Sequence, residues 1–190
     1  FTIMKYNLAQ TNYWNGPDVA RISNLSWSDA YETWRASNWV SQGATVGIIE
    51  DLWNTGHGYY YNFAVVNQRE LSMCPEGWRI PNEMEWNQII GLVGGNDQGG
   101  RALKSQGCDY WNCCGDEGYE CGTDLFGLDV RGGGWINGVD PGLECSMGGC
   151  LQEEKNATRF WSTTLYGEGR AFVVEITADS DGVTNTFQNG

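Results

Sequence analysis

The chain has 190 residues and a formal net charge of −13, with only 18% of its residues charged. Phosphate backbones and anionic membrane surfaces repel so acidic a surface, so nucleic acid is not an expected partner. No apolar run approaches the ~20 residues that span a bilayer, so no membrane span is expected. Ten Trp and 27 Gly residues suit one loop-rich domain with short strands, its core filled largely by aromatic rings. The chain opens at Phe1 rather than Met, which reads as a processed, exported protein.

In chain order, the first periodic stretch is 26–35. Trp27, Ala30, Tyr31 and Trp34 recur on one helical face, with Asn24 or Ser26 as cap. Tyr59, Tyr60, Tyr61, Phe63 and Val65 mark a strand over 58–66. A helix is expected over 82–93: Asn82 is its N-cap, Glu85 closes a capping box, and Trp86, Ile89, Ile90 and Val93 are its buried stripe. Gly94 and Gly95 stop it, and a short helical turn comes next at 100–104. Between 107 and 149 there is much Gly and Cys and little periodicity, so long loops pinned by disulfides are expected. Near the C-terminus, the aromatic and β-branched run 159–164 and the alternating run 171–177 flank Tyr166-Gly167-Glu168-Gly169, which makes a hairpin.

Of the seven cysteines, Cys108, Cys113, Cys114, Cys121, Cys145 and Cys150 are clustered and Cys74 stands apart. Their spacings are not those of a zinc site, and the single histidine, His57, lies in a Gly-rich turn. Three disulfides within the cluster are therefore expected, with Cys145–Cys150 the best local pair. Adjacent Cys113 and Cys114 should bond to different partners, because a vicinal bridge is strained. Disulfides imply an oxidising compartment, outside the cell or on its surface.

Two strings carry a family resemblance. Tyr60-Tyr61-Asn62-Phe63-Ala64-Val65 is followed by Cys74-Pro75-Glu76-Gly77-Trp78-Arg79-Ile80-Pro81-Asn82-Glu83-Met84-Glu85-Trp86. After them come Gly94-Gly95-Asn96, Ala102-Leu103-Lys104-Ser105, Gly132-Gly133-Gly134-Trp135 and Phe160-Trp161-Ser162-Thr163-Thr164. The order resembles the Fibrobacter succinogenes major paralogous domain, a secreted bacterial domain. The resemblance covers 59–190, while 1–58 shows no firm family signature; the whole of 1–190 is read as one domain. The segment from Trp78 to Trp86 is also similar to the helix entry of the formylglycine-generating enzymes. That similarity implies an α+β, C-type-lectin-like fold: two main helices beside twisted antiparallel sheets, with long disulfide-pinned loops. Within it, Trp78 and Trp86 would anchor loop and helix in one core. The family's usual final strand carries a cysteine, the implied partner of Cys74, but this chain stops at Gly190.

Catalysis is not expected. The enzymes just named need a reactive Cys pair in their C-terminal part, and no Cys follows Cys150; no Gly-x-Ser-x-Gly elbow is present either. Binding is the stronger expectation. Tyr110, Trp111 and Tyr119 stand in the Cys-rich loop among Asp109, Asp116, Glu117 and Asp124, with Trp135, Tyr166 and Arg170 as further rim residues. Rings beside carboxylates and amides suit a sugar site, although such rings also pack loops. Asp179-Ser180-Asp181-Gly182 has the form of half a calcium loop and equally of a plain turn. Calcium at Asp179 and Asp181 stays open, and no other cofactor is implied. Asn24 and Asn156 head glycosylation sequons.

The expected function is non-enzymatic recognition or adhesion, by a secreted or cell-surface domain that binds glycans or another extracellular surface. The alternative is a structural subunit of an extracellular filament, in which residues 1–6 add as a strand to a neighbouring copy. The disulfide expectation is checked by mass spectrometry of unreduced digests: three bridges should appear between Cys108 and Cys150, and bound zinc or unbridged peptides there would contradict it.

Overall fold

In a computed structural model of the protein, the residues described are 48–49, 60–61, 63, 74, 76–113, 120–136, 151–167 and 170–189. The helix expected at 26–35 lies outside them. So do most of the 58–66 stretch, Tyr119 and the pair Cys145–Cys150.

Helix α1 spans Glu83–Leu92, close to the expected 82–93. Its N-terminus is capped as the sequence implies. The Asn82 side chain accepts from the Glu85 N–H, and the Glu85 carboxylate accepts from the Asn82 N–H, both at 3.0 Å. This reciprocal pair satisfies two backbone donors that a helix start would otherwise leave open. Glu85 is also paired with Arg79. The buried stripe is Ile89, Ile90 and Val93, with Trp86 partly buried against the core.

After α1 the chain departs from the expected course. Gly94, at φ 111°, ends the helix, but Gly95 opens a second one, α2 (Gly95–Leu103), in place of the short turn expected at 100–104. Its many glycines hid it from a propensity reading. They are there because α2 lies against backbone. A Cβ at Gly100 would stand 2.0 Å from the Gly182 carbonyl oxygen, a clash that no side-chain rearrangement relieves.

The C-terminal hairpin forms as expected. Strand β5 (Ala157–Tyr166) pairs antiparallel with β6 (Arg170–Thr177), and β7 (Thr184–Asn189) pairs with β6 on its other side. Two smaller antiparallel pairs join β1 (Ile48–Ile49) to β2 (Tyr60–Tyr61) and β3 (Trp135–Ile136) to β4 (Leu151–Gln152). Phe63 has helical backbone, so the expected 58–66 strand is interrupted there.

Alternation along β6 sorts its side chains onto two covered faces. Phe172, Val174 and Ile176 face a core shared with Ile90, Val93, Leu103 and Trp111. Ala171 packs on the opposite side with Phe63, Ile80 and Trp161. The β5 register shifts between Trp161 and Leu165, and this irregularity holds the start of α1. The Thr163 N–H donates to the Pro81 carbonyl at 3.1 Å, and the Thr164 hydroxyl accepts from the Glu83 N–H at 2.9 Å. The Trp86 indole N–H reaches the Trp161 carbonyl at 3.3 Å.

Trp78 is a second correction: it is 36% exposed and does not anchor the core. The anchoring aromatic is Trp111, at 1% exposure the largest fully buried side chain described. Its indole N–H donates to the Val130 carbonyl at 3.0 Å, so its one polar atom is satisfied inside.

The contrast between the two rings is measurable. Trp111→Ala should cost about 3–5 kcal/mol in chemical denaturation, while Trp78→Ala should cost under about 1 kcal/mol. Glu85 supplies a pH test. The Arg79 guanidinium, and then the Asn82 N–H, hold its carboxyl far below its ordinary value, at about 2. A depressed carboxyl stabilises the fold above the unfolded-state pKa of about 4.3, and that contribution is lost as pH falls toward 2. Glu85→Gln should therefore flatten the acid limb of the stability curve in this window, as measured by denaturant midpoints from pH 5 to 2.

Candidate binding site

Four short segments converge beside the C-terminal end of β6. The Asn112 N–H donates to the Lys155 carbonyl at 2.8 Å, the Lys155 N–H donates to the Gly132 carbonyl at 2.7 Å, and the Gly134 N–H donates to the Ala157 carbonyl at 2.7 Å. The turn between β4 and β5 needs positive φ at Glu153 (57°) and Lys155 (61°). These are uncommon angles for residues with a Cβ, and the surrounding backbone bonds hold them there.

The convergence leaves an open cleft of about 780 Å³. Trp135 supplies its aromatic wall. Asn112 and Asn156 supply amides, and Glu153, Glu175, Asp179 and Asp181 supply carboxylates. The two amides are not loose: Asn112 Nδ2 donates to Asn156 Oδ1 at 3.1 Å. The Trp135 ring is fixed from one side by Arg159, whose guanidinium carbon lies 3.4 Å from the ring centroid and which is ion-paired with Glu175. Cys113 also lines the cleft. It is disulfide-bonded to the fully buried Cys121, so the loop carrying Asn112 is tied to the core. Cys113 bonds Cys121 and not its neighbour Cys114, as expected from strain. Cys108 is also disulfide-bonded.

Of the residues singled out from sequence, Trp135, Asp179 and Asp181 line this cleft. Tyr110 is close in sequence to it, but its ring packs against the core and carries the Arg131 guanidinium at 4.0 Å. Trp111 is a correction: both its faces are inside the core, so no ligand stacks on it. Tyr119 lies outside the described residues. Tyr166 and Arg170 sit at the other end of β6, seven residues and roughly 23 Å of strand from Thr177. There the Tyr166 hydroxyl donates to Glu83, its ring meets Phe187 edge-on at 4.5 Å, and Arg170 pairs with Asn189 through the backbone.

In the turn 177–182 both aspartates have partners within the protein. The Thr177 hydroxyl donates to Asp179 at 2.7 Å, and Asp181 faces Arg101 at 3.8 Å. Among the described residues, no group of three or more His, Cys, Asp or Glu side chains could hold a metal ion. What the turn does hold is Lys104, 1% exposed, which in the sequence stands out only as part of the Ala102–Ser105 string. Burial pushes its ammonium pKa down, while Asp181 and Asp179 pull it back up. Asn112, Glu153 and Glu175 carry no sequence signal either, and Asn156 carries only its sequon, because no periodicity brings four separate segments together.

Among the described residues, no helix is long and apolar enough to cross a membrane. Comparison with curated proteins and with solved structures gives no match. The family match is to the Fibrobacter succinogenes major domain and runs over residues 3–185, so it takes in nearly all of the 1–58 segment as well. With nearly its whole length matched, the chain belongs to the Fibrobacter succinogenes major domain family.

Proposed function

We propose that this protein is a secreted or surface-displayed recognition domain of C-type-lectin-like fold, without catalytic activity, that binds a glycan in the cleft beside Trp135. One observation carries the reading: an indole wall and two mutually bonded amides, Asn112 and Asn156, face the same open space. Sugars present apolar ring faces to aromatic side chains and hydroxyls to amides and carboxylates. Here the polar groups are already held in place, so little ordering cost falls on binding. Glu175 and Asp181 are paired with Arg159 and Arg101, and Glu153 and Asp179 add further carboxylates to the lining; the acidic balance of the lining favours a neutral or amine-bearing glycan over uronic acids and sulfated chains. The disulfide at the cleft wall agrees with an oxidising, extracellular setting.

The test is a glycan array read with wild type and Trp135→Ala side by side, each first shown folded by circular dichroism. Wild type should bind neutral or amino sugars, and the variant should bind at least about tenfold more weakly, the usual loss for an aromatic contact. Equal binding by the variant would place the site elsewhere. A wild type that binds no glycan and assembles into fibres through residues 1–6 would replace this reading with that of a filament subunit.

A further inference from the structure

The Lys104 ammonium sits where the sequence suggested a metal. It donates to the backbone carbonyls of Thr177 at 3.0 Å, Ala178 at 3.4 Å and Ser180 at 2.8 Å. An ammonium has three N–H bonds, and the turn presents three carbonyls to it. Calcium takes six to eight oxygens at 2.3–2.6 Å, a larger and tighter set. The charge is balanced from the same turn by Asp179 and Asp181, and the alkyl stem and head lie beside the Trp111 ring, Nζ 5.5 Å from its centroid.

Lys104 cannot easily be displaced. Its backbone is locked on both sides, with its N–H on the Gly100 carbonyl at 3.0 Å and its carbonyl accepting from Asp124 N–H at 3.0 Å. A Cβ at Gly122 would stand 2.2 Å from the Lys104 carbonyl oxygen, so that segment is packed onto the lysine as well. The turn is in addition bound directly to α2, through the Arg101 N–H on the Asp181 carbonyl at 2.9 Å and the Val183 N–H on the Asn96 carbonyl at 2.8 Å.

We propose that residues 177–181 form a cation-binding turn whose cation is the protein's own Lys104 ammonium. Lys104 is then the positioning residue for the cleft wall built from Thr177, Ala178, Asp179 and Asp181, and that wall keeps its shape without calcium. The caged lysine holds the wall whatever ligand the cleft takes.

Thermal unfolding tests it on the whole chain. Wild type should melt at the same temperature with excess EDTA and with millimolar calcium chloride. Lys104→Met, which keeps the stem and removes the charge, should melt on the order of 10 °C lower. In Lys104→Ala, added n-propylammonium should restore part of the loss and n-propanol should restore less. A calcium-dependent wild type, a Lys104→Met within about 2 °C of wild type, or rescue by propanol equal to that by propylammonium would overturn the proposal. Should the variants fail to fold, the wild type still decides. A 15N-resolved NMR signal for the Lys104 ammonium protons must exchange with water far more slowly than those of the half-buried Lys155, and equal exchange rejects the caged ammonium.

Discussion

The structure depends most on one buried charge. Lys104 ends α2, stands in the core against Trp111, and binds three carbonyls of the turn that links β6 to β7. Removing a buried charge's partners costs as much as deleting a large core side chain, because the desolvated ion is then uncompensated. The helix end, the Cys-rich loop and the sheet are thereby held to one arrangement. Loop backbone packs on the lysine from the other side, with Thr123 N–H bonded to the Arg101 carbonyl and Leu125 N–H bonded to the Ala102 carbonyl, both at 2.9 Å.

The cleft is built onto that arrangement. Its β6 side is the wall that Lys104 holds, and its opposite side is the positive-φ turn at Glu153 and Lys155. The third side is Asn112, tied by the neighbouring Cys113–Cys121 bridge to a cysteine that is fully buried. A recognition site built from loops gains affinity when its polar groups need no ordering on binding. Lone carboxylates on a protein of net charge −13 would carry little information. The same carboxylates beside an oriented indole and a bonded amide pair define a surface with direction, which is why the cleft rather than the aromatic content of the Cys-rich loop is the better candidate.

Several features were legible in the sequence because they are local. The capping box at Asn82 and Glu85 and the apolar stripe at Ile89, Ile90 and Val93 obey the helical period and appear as read. The β5–β6 hairpin comes from two β-rich runs around a Gly-containing turn. Where neighbours decide, the reading failed. Helix α2, with Gly at 95, 99 and 100, reads only as a short helical turn at 100–104 until the turn at Gly182 is seen lying against it. Trp78 and Trp111 have the same side chain and opposite fates, 36% and 1% exposed, and no periodic signal in a Gly- and Cys-rich stretch distinguishes them.

By itself, then, the sequence determined the family, the α+β class, the helix α1 with its cap, the hairpin, and the incompatibility of neighbouring Cys113 and Cys114 as a pair. These rest on motif order, on spacings shorter than a helical turn or two, and on bond geometry, all of which are carried by adjacent residues. Only the tertiary structure decided which aromatic is core, which residues meet in the cleft, and that an ammonium occupies the turn that reads as half a calcium loop. Those outcomes pair residues distant in sequence, Asn112 with Asn156 and Lys104 with Thr177, and a backbone carbonyl contributes to a cation cage regardless of the side chain it belongs to, so no side-chain pattern could announce it.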